Sequence, residues 1–147
     1  MAPDVKDQLK LAILDADDLA VASAHLQDAV TKVGDMAYLP TEKRFAMLVN
    51  RFDWTAVEEG AALRRRAGVH FERVLKARTR GFNPHDRETV LNLLTVEFEE
   101  RDVPSGLVTL YFSGEAAIEL EVECLEMALA DLGPAWSARH RPRHGAT

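Results

Sequence analysis

The chain has 147 residues, 47% hydrophobic and 29% charged, which is the size and composition of one ordinary globular domain that can bury a core without disulfides or a structural metal. Its longest apolar run, residues 45–49, is far short of a membrane span of ~20 residues, and residues 1–10 lack the basic and apolar regions of a signal peptide. Cys124 is the only cysteine, which excludes an internal disulfide and argues against a thiolate zinc site, and the net charge of −6 argues against a protein built to coat nucleic acid; together these features point to the cytoplasm.

Residues 9–14 read as a first strand. Asp15 suits an N-cap, Asp17 and Asp18 complement the helix dipole, and Leu19, Ala22, Ser23 and Leu26 follow at helical spacing, so the pattern predicts a helix over 16–27. A strand over 28–39 is interrupted at Gly34-Asp35, a turn fills 40–43, and a dense apolar strand covers 44–54, buried on both faces or against a helix. Residues 55–60 read as loop. For 61–67 a strand is preferred to a helical turn. From 69 to 80, Val69, Phe71, Leu75 and Ala77 alternate with His70, Glu72, Lys76, Arg78 and Arg80, and Arg73 and Val74 break the pattern.

After a loop at 81–86, a strand over 90–99 sets Leu94, Val96 and Phe98 against Thr95, Glu97 and Glu99. A turn at 101–105, a strand over 107–112 and a hairpin at 113–115 follow. Ile118, Leu120 and Val122 then alternate with Glu119, Glu121 and Glu123, as in a half-buried antiparallel strand. Leu125, Ala128, Leu129 and Leu132 have helical spacing, and Gly133-Pro134 would stop that helix. Trp136 is expected to pack back on the fold. The predicted fold is therefore α+β: an antiparallel sheet or roll of about seven strands, pleckstrin-homology-like by analogy of element order, with an early helix and a C-terminal capping helix. One domain is expected over 1–136, followed by a mobile basic tail over 137–147.

Five segments carry a resemblance: Leu26-Gln27-Asp28-Ala29-Val30, Val33-Gly34-Asp35-Met36-Ala37, Val49-Asn50-Arg51-Phe52-Asp53-Trp54, Phe71-Glu72-Arg73-Val74-Leu75 and Leu120-Glu121-Val122-Glu123-Cys124. Together they look like an alphaproteobacterial family filed only as a domain of unknown function, over about Leu9 to Trp136. The resemblance implies a bacterial, cytosolic, stand-alone protein. It implies no activity, cofactor or site residue.

Charge is unevenly spread. Residues 61–87 carry eight basic and two acidic side chains, whereas 88–132 carry one basic and eleven acidic. Arg64, Arg65, Arg66, Lys76, Arg78 and Arg80 are dense enough to attract a phosphate or an acidic partner, against the plain alternative of a solvated face paired with the protein's own glutamates. Glu119, Glu121 and Glu123 share one strand face and offer oxygens for a hard cation, but no Gly-rich loop or Asp-x-Asp spacing accompanies them, so a solvated outer face is preferred. Among the histidines only His140 and His144 have i, i+4 spacing, and Pro142 between them works against a helical metal pair. Cys124 reads as buried and inert, and Ser113 lacks the nucleophile elbow. Asn50, Arg51 and Asp53 form a polar insertion that either binds an anion or ends the strand; the second is preferred.

The leading functional reading is a non-enzymatic binding or adaptor domain that uses its basic strand face for an anionic ligand or acidic protein partner, with no cofactor, no metal and at best weak nucleic-acid binding. An enzyme with a small-molecule pocket between sheet and helices is one alternative. A homodimer assembled through complementary basic and acidic faces is the other.

Overall fold

The computed structural model describes residues 8–54, 63–133 and 136–137. The loop expected at 55–60, residues 61–62, the packing of Trp136, and Pro134 and the tail beyond 137 lie outside them.

The early helix forms as its signals direct. Asp15 caps α1 (Ala16–Leu26), its side chain accepting from the Asp18 amide, and Leu19, Ala22 and Leu26 are the buried face. It follows β1 (Lys10–Ile13). The interrupted strand is two strands, β2 (Val30–Lys32) and β3 (Met36–Leu39), joined through a single 3-10 turn at Val33–Asp35. A second 3-10 turn at Pro40–Glu42 leads into β4 (Arg44–Phe52), whose buried residues alternate along most of its length.

The next two strands are β5 (Leu63–Phe71) and β6 (Val74–Arg80), so the preference for strand holds where the chain is described. Between them Arg73 takes a left-handed φ of 61° and kinks the chain. The kink and a register shift after Val74 reset the side-chain phase: Val74 is buried and Leu75, expected inside, is exposed. The same happens in β7 (Val90–Glu100). A register shift between Leu93 and Thr95 brings Leu91, Leu93 and Val96 inside and turns Leu94 out. The hairpin of β8 (Gly106–Phe112) and β9 (Ala117–Val122) follows the reading, with Ile118, Leu120 and Val122 buried.

The C-terminal helix is not there. Met127–Asp131 is a strand, β10, whose residues Met127, Leu129 and Asp131 are buried. It lies between two partners, Leu129 facing Val69 of β5 on one side and Leu11 of β1 on the other. The apolar residues of this stretch fit either period, because Leu125, Met127 and Leu129 step by two while Leu125, Leu129 and Leu132 step by four and three. Two open strand edges decide the matter by taking up the hydrogen bonds of a stretch too short to be a stable helix alone. Gly133, expected as a helix stop, has φ 99° beyond the strand end. A two-residue strand, β11 (Trp136–Ser137), pairs with β5.

The architecture is thus a mostly antiparallel sheet of eleven strands with one α-helix among the described residues, not about seven strands with two helices. Without the C-terminal helix the pleckstrin-homology analogy loses its capping element. The order β1-β10-β5-β4-β2-β7-β8-β9-β6 doubles back on itself, because β5–β6 and β9–β10 are two long bent strands paired along both arms. Their corners bond to each other: the Glu72 amide donates to the Glu126 carbonyl, and the Glu123 amide to the Arg73 carbonyl, each at 2.9 Å. The bend wraps the strands around one apolar core that includes Phe45, Phe71, Leu93, Leu110, Leu120 and Leu129. Helix α1 packs chiefly on β7, where the Ser23 hydroxyl accepts the Val96 amide at 3.0 Å.

Strand and helix make opposite demands on the last apolar segment, which a pair of variants reads out. Leu129→Ala is expected to cost about 2–5 kcal/mol, the range for emptying a core leucine. Leu132→Ala, at a half-exposed position, is expected to stay within about 0.5 kcal/mol. Denaturant melts of both check this; equal losses would restore the helical stripe.

Candidate functional site

The structure scatters the six basic candidates over three environments. On β6, Lys76 faces Glu121, and Arg78 faces Glu119, across the pairing with β9. Arg78 lies 3.6 Å from Glu119 and 3.4 Å from Glu121, and Arg80 lies 3.9 Å from Glu119. The acidic row of β9 is therefore the immediate neighbour of the basic row of β6, and Lys43 completes it by donating to Glu123 at 2.6 Å, which holds the Glu123 carboxyl below its ordinary range. These are partly exposed pairs of small individual worth, but they neutralise the face. The complementary charges that motivate a homodimer meet within one chain.

Arg65 points the other way, into the core, with its side chain 2% exposed. It stands directly opposite Arg51 of β4, whose side chain is 3% exposed. Like charges opposite each other on neighbouring strands repel, and two aspartates hold them. Asp131 of β10 accepts from Arg51 Nε and Nη2, each at 2.8 Å, and lies 4.0 Å from Arg65. Asp53, just past β4, accepts from Arg65 Nε at 2.7 Å. The Leu9 amide adds a bond of 2.6 Å to Asp131. This is a buried quartet of zero net charge, so Arg51 and Asp53 serve the end of the strand rather than an external anion. His25 of α1 borders it. Burial lowers its pKa and Arg51 lowers it further, against an opposing pull from Asp53 and Asp131.

Arg64 and Arg66 emerge on the outer face of β5. The Arg64 guanidinium lies 5.6 Å from the Phe52 ring centre and donates to the Asn50 carbonyl at 3.1 Å; burial lowers its pKa. Arg66 faces Asn50 of β4, which in turn faces Val30 of β2. Those three strands and the segment before β7 enclose a cleft of about 390 Å³ that gathers Lys32, Asn50, Arg66 and Arg87, with Asp35 and Glu88 also lining it. Arg87 donates to the Gly34 carbonyl at 3.1 Å, and Lys32 pairs with Glu88 at 3.4 Å in the open. The Asn50 Oδ1 atom is buried without a hydrogen-bond partner among the described residues. Arg66 is exposed, and its side chain makes no hydrogen bond or ion pair with the described residues.

Of the basic candidates, then, Arg66 lies in this cleft, while Arg80, beside Glu119, borders a separate concavity with Gly81, Leu94 and Tyr111. Lys32 and Arg87 join Arg66 from distant parts of the chain, and no local motif marks them. Asp131 is in phase with Met127 and Leu129 at period two, which is the sequence signal for an inward carboxylate. Among the described residues no group of three or more His, Cys, Asp or Glu side chains is placed to hold a metal ion, and no helix is long and apolar enough to cross a membrane.

A family model described as "Protein of unknown function (DUF2948)" matches residues 9–144. No curated protein and no solved structure matches the chain.

Two outcomes follow from the buried quartet. Asp131→Asn leaves a buried arginine uncompensated and is expected to cost about 3–5 kcal/mol, whereas the paired change Arg51→Met with Asp131→Leu is expected to cost less than that; chemical denaturation of both variants checks the order. For His25, the folded pKa lies below the ordinary 6.5, so the unfolded chain binds the proton more readily between the two values. The stability this supplies is complete above about pH 6.5 and is lost as pH falls towards the folded pKa. His25→Gln is expected to flatten that part of the stability-versus-pH curve.

Proposed function

The chain belongs to the DUF2948 family, and we propose that it is a non-enzymatic binding domain that holds the anionic group of a ligand or partner in the cleft of Lys32, Asn50, Arg66 and Arg87. The observation that carries this reading is Arg66: an exposed guanidinium in a concave site, without a partner among the described residues. A guanidinium presents a fork of donors that matches a carboxylate or a phosphate. Arg87 and Lys32 add positive charge, and three cations against Asp35 and Glu88 leave the lining at +1. The β6 face is a poorer choice, because an incoming anion would have to displace Glu119 and Glu121.

The cleft contains no paired acid and base, and no nucleophile beside a histidine, among its lining residues. That chemistry favours holding a charge over transforming a substrate.

Inorganic phosphate, titrated at constant ionic strength into the full ¹⁵N-labelled chain, is expected to give saturable shifts at Arg66, Arg87 and Asn50. Arg66→Ala is expected to weaken binding about tenfold or more, the worth of a charged hydrogen bond. Replacing Lys76, Arg78 and Arg80 together by Ser is expected to leave it unchanged. Shifts that never saturate, or that centre on β6, would remove this assignment.

A further inference from the structure

The anion cleft is one end of a longer surface feature. Along the outer faces of β3, β4, β5 and β10 runs an apolar groove of about 470 Å³, lined by Met36, Ala46, Leu48, Gly68, Ala130 and Leu132 among others. Cleft and groove share Gly34, Asp35 and Leu48. Each also has a large apolar side chain in the open: Val90 in the cleft is 57% exposed and Leu132 in the groove is 50% exposed. The register explains the shape. Gly68, which has no side chain, stands opposite Leu48 and Ala130, and Leu132 leans over it, its Cδ1 3.4 Å from where a Cβ would stand. Arg66 lies two residues from Gly68 on the same strand face, a step of about 7 Å.

From this juxtaposition we infer that the outer sheet face docks an extended peptide segment of another protein, one carrying an Asp or Glu two residues away from a large apolar side chain. The inference rests on the anion-cleft reading and names its partner class. In an extended peptide, residues i and i+2 point the same way about 7 Å apart, which matches the step from Arg66 to the floor over Gly68. The carboxylate meets the Arg66 fork, and the apolar side chain lies over Gly68 against Leu132. The groove is nearer an open surface than an enclosed cavity, whereas small-molecule sites enclose most of their ligand. The acidic balance of the whole chain, −6, and the apolar groove both disfavour a nucleic acid strand.

The test immobilises the full chain and selects from a displayed library of random 12-residue peptides. Enrichment of Asp or Glu two positions from Leu, Ile, Met or Phe is expected. The best synthetic peptide is then measured by fluorescence polarisation against two variants. Gly68→Val fills the groove, and the position can accept a side chain: a Cβ there would meet Leu132 at 3.4 Å, an ordinary contact. It is expected to weaken the peptide at least tenfold while phosphate shifts at Arg66 persist and the melting temperature stays near wild type. Should Gly68→Val unfold the chain, Leu132→Lys at the half-exposed rim serves in its place with the same expected loss. Arg66→Ala is expected to weaken peptide and phosphate alike. Phosphate binding at the cleft with no enriched acidic–apolar spacing, or with peptide affinity unmoved by the groove variant, would overturn the docking inference and leave the cleft standing. Absence of phosphate binding would remove the cleft itself. Saturable binding of decanoate without peptide enrichment would show an acyl ligand instead and equally overturn the peptide partner.

Discussion

Two arginines facing each other across neighbouring strands are a liability that the rest of this structure accommodates. Arg51 and Arg65 occupy inward positions at the polar end of the sheet's core face, where an unpaired charge is strongly disfavoured. Asp131 must reach them from β10, and Asp53 from the end of β4. That requirement ties β4, β5 and β10 together in one register, and the Leu9 bond draws the start of the chain onto the same carboxylate. A one-residue slip of β10 would turn Asp131 outward and leave Arg51 without its two bonds to that carboxylate, beside an Arg65 held by Asp53 alone. The apolar core supplies most of the stabilisation, as cores do; the quartet supplies a reason for one alignment over its neighbours.

The same register arranges the surface. With Arg65 inward, Arg64 and Arg66 must be outward, and only Arg66 reaches the concavity shared with β2 and β4. The two bent strand pairs impose a second consequence. Because β6 is paired alongside β9, its three cations Lys76, Arg78 and Arg80 stand beside Glu119 and Glu121. In these two strands the basic and acidic blocks are therefore interleaved rather than set on opposing faces. The cleft is local by contrast: Arg66, without a partner among the described residues, Lys32 and Arg87 line it, and the apolar groove adjoins it.

Membership of the DUF2948 family brings no activity with it, so the functional reading rests on the geometry of this face. The groove exists because Gly68, Ala46 and Ala130 are small where a sheet face covered by the chain's own helix would carry larger residues, and α1 packs instead against β7. Leu132 is half exposed at the border of the groove, and Val90 is exposed in the adjoining cleft.

Much of the local structure was legible in the sequence. Asp15 with two following aspartates marks α1, Gly34-Asp35 marks the break between β2 and β3, and the alternation of Ile118, Leu120 and Val122 with glutamates marks β9. These signals are local: capping, turn chemistry and period-two burial act within a few residues. Three features were decided only by the tertiary structure. Residues 127–131 carry a pattern compatible with either period, and the open edges of β5 and β1, drawn from opposite ends of the chain, make it a strand. The kink at Arg73 and the bulges in β6 and β7 shift the phase of alternation, which moves Leu75 and Leu94 outside, and such shifts depend on what the partner strand offers. Finally, the basic block reads as one cluster because its residues are close in the chain, yet successive side chains on a strand point to opposite faces and the kink separates its two halves. Arg65 is buried against Asp53 and Asp131, Arg78 meets Glu119, and Arg66 lines a cleft with Lys32 and Arg87: the sequence determined which charges the molecule carries, and pairing between distant strands decided which of them are buried, which are paired and which stand exposed.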